Sequence, residues 1–145
     1  MASIYKTFAT DKALESKGFM VEYDDIRFLV ARAGGANSKF RKVFQAKAKP
    51  HRFKIDNDML SEELAQKMMA EAYAEAVILR VDSKDKDGKW VVNMIPQKDG
   101  SLTEATHEAV TQVLIDLPLL FTDVQSMANN VSNFRKVEEE EDAKN

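Results

Sequence analysis

Apolar and polar positions divide the chain into short strand-like runs near its start and longer helical stripes after them. Phe19-Met20-Val21-Glu22-Tyr23 and Ile26-Arg27-Phe28-Leu29-Val30-Ala31-Arg32 are rich in aromatic and β-branched residues, and Asp24-Asp25 between them predicts a hairpin. With a period of two, Phe28 and Val30 share one face of the second run, while Arg27, Leu29 and Ala31 share the other. Ahead of the hairpin, residues 10–18 read as a short helix with Thr10 or Asp11 as N-cap and Gly18 as its stop. After it, Gly34-Gly35 ends the strand, and Asn37 or Ser38 caps a helix from 39 to about 49. Pro50 closes that helix, because the residue before a proline is driven out of the helical region. Phe40, Val43, Phe44 and Ala48 form its apolar side.

The strongest helical pattern opens at Ser61-Glu62-Glu63-Leu64, where a capping hydroxyl is followed by two acids at the positive end of the helix dipole. It is expected to run to about residue 79. Leu64, Met68, Ala72 and Ala76 form one row, and Ala65, Met69, Tyr73 and Val77 form the next, giving a stripe wide enough to touch two neighbours. Residues 82–88 read as a charged turn, and 89–95 as a short strand or extended loop before Pro96. Ser101-Leu102-Thr103-Glu104 matches a capping box and predicts a helix through Ala109, Val110, Val113, Leu114 and Leu117. Pro118 interrupts it and, being tolerated in a first turn, starts a last helix with Leu120, Val124, Met127, Val131 and Phe134 on one face. The expected class is α+β and predominantly helical, about four helices with a small N-terminal β-hairpin.

A chain of 145 residues that is 44% hydrophobic is large enough for one core, and we expect a single globular domain over residues 1–136. It contains no Cys, which removes disulfides, thiolate metal sites and a cysteine nucleophile, and which fits a reducing compartment. The first residues lack the apolar core of a signal peptide, and no apolar run approaches the ~20 residues of a membrane span, so a cytoplasmic location is expected. The net charge of -3 hides a segregation: seven Lys or Arg and no acid fall between residues 39 and 54. The acids include the run Glu138-Glu139-Glu140-Glu141-Asp142, and residues 137–145 read as a disordered acidic tail.

Candidate chemistry is sparse. Asp85, Asp87 and Gly88 imitate a calcium loop, but Ser83 and Met94 stand where its first carboxylate and its bidentate Glu belong. Gly34-Gly35 lacks the spacing and the Lys-Ser/Thr ending of a phosphate-binding loop. His51 and His107 have no local partner at metal-ligand spacing. No enzyme activity, metal or cofactor is therefore expected. The basic segment 39–54, with Phe40, Phe44 and Phe53 interleaved, could meet phosphates and bases. Nucleic acid is nevertheless the weaker reading, because a helix would bury Phe40 and Phe44 and the acidic run competes for the same charges. Seven Met are many for this length, and thioether side chains adapt to varied partners, although a Met on a helical stripe is more often core.

The order of these pieces resembles the tail assembly chaperones of long-tailed bacteriophages. The resemblance rests on Thr10-Asp11-Lys12-Ala13-Leu14-Glu15, on the stretch from Phe28 through Ala33-Gly34-Gly35-Ala36-Asn37-Ser38 to Phe40, and on Leu64-Ala65. It continues through Tyr73-Ala74-Glu75-Ala76-Val77-Ile78, Lys86-Asp87-Gly88-Lys89 and Leu114-Ile115-Asp116-Leu117-Pro118-Leu119-Leu120-Phe121. Together these cover most of residues 10–135. The resemblance implies a protein of the host cytoplasm that binds the aggregation-prone tape measure protein, keeps it soluble, helps recruit tail tube protein and is absent from the mature virion. It also implies that a longer, frameshifted product often accompanies the first. Self-association is compatible with this picture, and membrane binding is not part of it.

Periodicity, independently of the resemblance, selects the residues for helix-in-groove binding. Met68, Met69, Tyr73, Phe121 and Val124 are expected to contact a client helix, with Lys39, Arg41 and Lys42 meeting client carboxylates at the rim. The rival readings are a structural phage tail subunit and a nucleic-acid-binding regulator that uses residues 39–54.

Overall fold

The computed structural model describes residues 4–135; the expected acidic tail over 137–145 lies outside them. The chain begins with α1 (Ile4–Phe8) and α2 (Lys12–Lys17), followed by β1 (Phe19–Glu22) and β2 (Ile26–Val30). α3 (Ser38–Ala48) leads through a 3-10 turn (Lys49–His51) into α4 (Arg52–Asp56), and the long α5 (Glu62–Ala76) follows. Then come β3 (Ile78–Lys84), β4 (Trp90–Val92), β5 (Met94–Pro96), β6 (Leu102–Glu104), α6 (His107–Asp116), α7 (Pro118–Asn129) and a second 3-10 turn (Val131–Phe134).

The expectation of about four helices on one small hairpin is overturned by the strands. Among the described residues there are six, in an antiparallel four-stranded sheet of order β1-β2-β3-β4 and a two-stranded sheet β5-β6. Three short helices, α1, α2 and α4, add to the four longer ones. Two misread segments account for the extra strands. The helix expected to reach residue 79 ends at Ala76, where the Asn37 amide donates to the Ala76 carbonyl at 2.9 Å and Ala31 N–H takes the Val77 carbonyl at 2.8 Å. With those carbonyls diverted, the β-branched Val77-Ile78 enters the sheet and β3 becomes its partner to β2. Of the two expected caps of α3, Asn37 or Ser38, Asn37 takes the N-cap position, but its side chain makes no cap bond there.

The second misreading is the capping box at residues 101–104. Ser101 instead closes a hairpin: its N–H bonds Asp99 Oδ1 at 2.9 Å, Gly100 N–H bonds the Gln97 carbonyl, and Leu102–Glu104 is β6. Thr106 is the cap of α6, accepting Ala109 N–H at 3.1 Å. The turn at Asp87-Gly88 between β3 and β4 is built alike, with Asp85 Oδ1 accepting from Asp87 and Lys89 N–H and Gly88 at φ 78°. Asp-Gly is the strongest short hairpin signal, and both copies of it sit at hairpin tips here.

Alternation sorts the sheet into two faces. Val21, Phe28 and Val81 align across β1, β2 and β3 and are buried under the helices, where they join Tyr73, Val77, Phe121 and Val124 in the core. α5 packs between α3 and α6 over β3, and α7 lies against β2. Aromatic rings tie these layers together: Phe40 of α3 meets Tyr73 of α5 edge-on at 5.4 Å, and Tyr73 meets Phe121 of α7 at 5.3 Å. The opposite face carries Arg27, Arg80, Asp82 and Trp90. Asp82 is only 1% exposed because Arg27 (2.8 Å), Arg80 (3.0 Å) and Asn93 N–H (3.0 Å) close over it. Burial pushes its carboxyl up, and these hydrogen bonds and charges outweigh that, holding it below the ordinary range.

Glu15 does similar work at the amino-terminal end. It accepts from Thr10 Oγ1, Ala36 N–H and Arg32 (2.9 Å) while 2% exposed, and so joins α2 to the loop before α3. Burial raises this carboxyl too, and the three partners together bring it below its ordinary value. Gly35, at φ 54°, lets that loop pass: a Cβ there would run into Glu15 Oε2 and the Arg32 side chain.

Candidate functional site

The side chains selected by periodicity divide sharply in space. Met68, Tyr73, Phe121 and Val124 are at most 4% exposed, and Met69 is half-buried against the same core. Four of the five are thus core residues, a correction to their expected role. The wide stripe of α5 does touch two neighbours, but these are α3 and α6 of the same chain, with α7 closing over Tyr73. The Tyr73 hydroxyl is also spoken for, accepting from the Asn129 amide at 3.1 Å. Lys39, Arg41 and Lys42 are exposed on α3, and none of them lines an apolar groove.

An open apolar groove lies elsewhere, between the β5–β6 hairpin and α6. A groove of about 620 Å³ runs there, floored by Ile95, Ala109 and Val113 and continued at one end by Leu117. Local structure explains its walls. The tight Asp99-Gly100 turn holds β6 antiparallel to β5, with Ile95 opposite Thr103 and Pro96 opposite Leu102. The Thr106 cap then starts α6 so that Val110 and Leu114 enter the core. The adjoining row Ala109, Val113 and Leu117, at helical spacing of four, is left facing the hairpin. Pro118 begins α7 directly and turns the chain, leaving Leu117 53% exposed at the groove and Leu119, in the first turn of α7, 87% exposed.

Polar side chains also line it: Gln97, Lys98, Thr103, Gln112 and Asp116. Gln112 Nε2 donates to Asp116 Oδ1 at 2.9 Å, and Lys98 Nζ stands 3.8 Å from the same oxygen, across the opening. Such a site, an apolar row of α6 flanked by polar side chains, suits an amphipathic peptide or helix rather than a charged small molecule. The stripe 109, 110, 113, 114 and 117 was visible as a pattern; which of its two rows stays open depends on the hairpin folding alongside.

Two further clefts are more polar. One of about 370 Å³ includes His51, Lys67 and Glu71, and one of about 430 Å³ includes Glu75, His107 and Glu108. Lys47 lies between them, 2.7 Å from Glu75 and 3.3 Å from Glu71, and the Glu75 hydrogen bond in particular raises its pKa. Among the described residues no three His, Asp or Glu gather where they could hold a metal ion, and no helix is long and apolar enough to cross a membrane.

Comparison with known proteins adds one finding. No curated protein and no solved structure matches the chain. One family model does, over residues 35–145, which takes in α3 to α7, the groove and the acidic run. The chain belongs to the YdaY prophage protein family.

Proposed function

We propose that this prophage protein is a tail assembly chaperone that binds the tape measure protein, keeps it soluble in the host cytoplasm and promotes tail tube assembly. The observation that carries the reading is the apolar groove between the β5–β6 hairpin and α6, whose lining ends in the half-exposed Leu117. Membership of a prophage family and the resemblance of the ordered motifs to tail assembly chaperones support the phage context.

The mechanism is reversible burial. A long client helix carries an apolar stripe that associates with other copies unless covered. Laying that stripe over Val113 and Leu117, and over the exposed Leu119 two residues further on, removes apolar surface from water at about 25 cal/mol per Å². A groove of this size covers only a short stretch of helix, so each contact is weak enough for tail tube protein to displace it during assembly. The core residues Met68, Tyr73, Phe121 and Val124 then act indirectly, holding α5 and α7 where α6 can present its open row. The reading involves no catalysis, metal or cofactor, and it leaves the protein out of the mature virion.

The test is co-expression with the tape measure protein encoded in the same prophage, followed by size-exclusion chromatography and examination of purified particles. A soluble, co-eluting complex together with particles lacking this chain is the expected result. An insoluble client, or this chain present in stoichiometric amounts in particles, would instead make it a structural tail subunit.

A further inference from the structure

Of the seven cations between residues 39 and 54, only Lys47 is ion-paired within the described residues. Lys39, Arg41, Lys42, Lys49, Arg52 and Lys54 are all exposed, on a surface formed by α3, the 3-10 turn and α4. The nearest acid in sequence is Asp56. Three of the cations stand near the amino end of α3, whose first turn has no acid and whose Asn37 makes no cap bond. Cations there oppose the helix dipole, so an anion laid across them relieves two unfavourable arrangements at once.

The described chain ends about one short helix away from the entrance of α3. Arg135 bridges Thr10, and Asp11 N–H bonds the Phe134 carbonyl at 2.7 Å, which places the last described residues at the start of α2. The far part of α2 reaches the loop before α3, where Ser16 Oγ donates to the Ala36 carbonyl and Glu15 accepts Ala36 N–H. A six-residue helix is about 9 Å long, so Arg135 and the entrance of α3 are separated by little more than that. The residues that follow Arg135 in the sequence include five consecutive acids, Glu138-Glu139-Glu140-Glu141-Asp142. At about 3.3 Å per residue, three residues span about 10 Å and the five acids a further ~16 Å, the length of α3.

From this charge complementarity and reach, we infer that the acidic run 138–142 docks along the basic surface of α3 in its own chain. The docked run keeps these cations from non-specific contact with phosphates, and it stands apart from the apolar groove. The inference does not depend on the chaperone reading.

The natural absence of cysteine makes the test direct, because an Ala143→Cys chain carries one spin label on the full-length protein. In a dilute sample at about 0.05 M salt, amide signals of residues 39–54 should lose most of their intensity, and they should recover it at about 0.5 M, where the screening length falls to a few Å. Replacing Glu138, Glu139, Glu140 and Glu141 with Gln should abolish the broadening and raise affinity for a short single-stranded oligonucleotide about tenfold at low salt. Three results would overturn the inference. Broadening absent from residues 39–54 removes the docking. Broadening seen only when labelled and isotope-enriched chains are separate molecules assigns the surface to a second copy. Equal oligonucleotide affinity of the two chains shows that the run does not shield the surface.

Discussion

Two helices carry apolar stripes of the same kind and meet opposite fates. On α5, both rows of the stripe face other parts of the chain, with α3 on one side, α6 on the other and Phe121 of α7 over Tyr73. On α6, Val110 and Leu114 are buried, but Ala109, Val113 and Leu117 border an open groove because only a two-stranded hairpin stands opposite. The difference lies in what the chain returns to each stripe. α5 receives an aromatic row from α3 and α7, whereas α6 receives Ile95 and Pro96 and then a turn that leads away. A wide apolar stripe is therefore evidence of a contact, and the partner can be internal or external.

The largest effect is expected on the closed side. Tyr73→Ala removes a ring that links Phe40 to Phe121 and should cost about 3 to 5 kcal/mol, read as a lower denaturation midpoint with loss of cooperative unfolding at physiological temperature. A cost under about 1 kcal/mol would mean that α5 is not sealed as described.

Asp82→Ala comes next, at about 3 kcal/mol, because it leaves Arg27 and Arg80 facing each other without their shared counter-charge. Acid should act in the same direction. Glu15 and Asp82 both have folded pKa values below their unfolded ones, so their stabilisation is fully present above the unfolded carboxyl range. It is lost as pH falls through the lowered folded values. Denaturant midpoints should accordingly be flat from about pH 7 to 5 and fall below about pH 4. In the Asp82→Ala chain that acid slope should be shallower.

Gly35→Ala tests the junction that carries α3, since a methyl group there meets Glu15 and Arg32 and holds a left-handed backbone. The expected cost is about 1 to 3 kcal/mol. The smallest stability effect belongs to the open side. Replacing Leu117 and Leu119 with Gln should change stability by no more than about 0.5 kcal/mol, because both are exposed. The same double variant should lose solubilisation of the tape measure protein in the co-expression assay. Destabilisation comparable to Tyr73→Ala would place these leucines in the core and erase the contrast between the two stripes.

The hairpin β1–β2, the cap at Ser61, the stop at Gly18 and the start of α7 at Pro118 were legible because each is set by residues adjacent in sequence. The Asp-Gly turns are equally local, but the pattern at Ser101 is compatible with both a capping box and the second of these turns, and the chain forms the turn. Asp99 settles the competition by holding Ser101 N–H, a bond two residues long that a helix start would have to break. β3 could not be read in the same way. Its first residues continue the apolar pattern of α5, and the helix stops where it does because Asn37 and Ala31, some forty residues earlier, take its final carbonyls.

By itself, the sequence determined the local elements whose signals lie within a turn or two: caps, hairpin tips, alternating strands and the apolar stripes of the helices. It also determined the segregation of charge between residues 39–54 and 138–142, which no folding can alter. Only the tertiary structure decided which stripe is core and which is open, because burial depends on the partner that distant parts of the chain bring to a face. Periodicity records that a face is apolar; the fold decides what covers it.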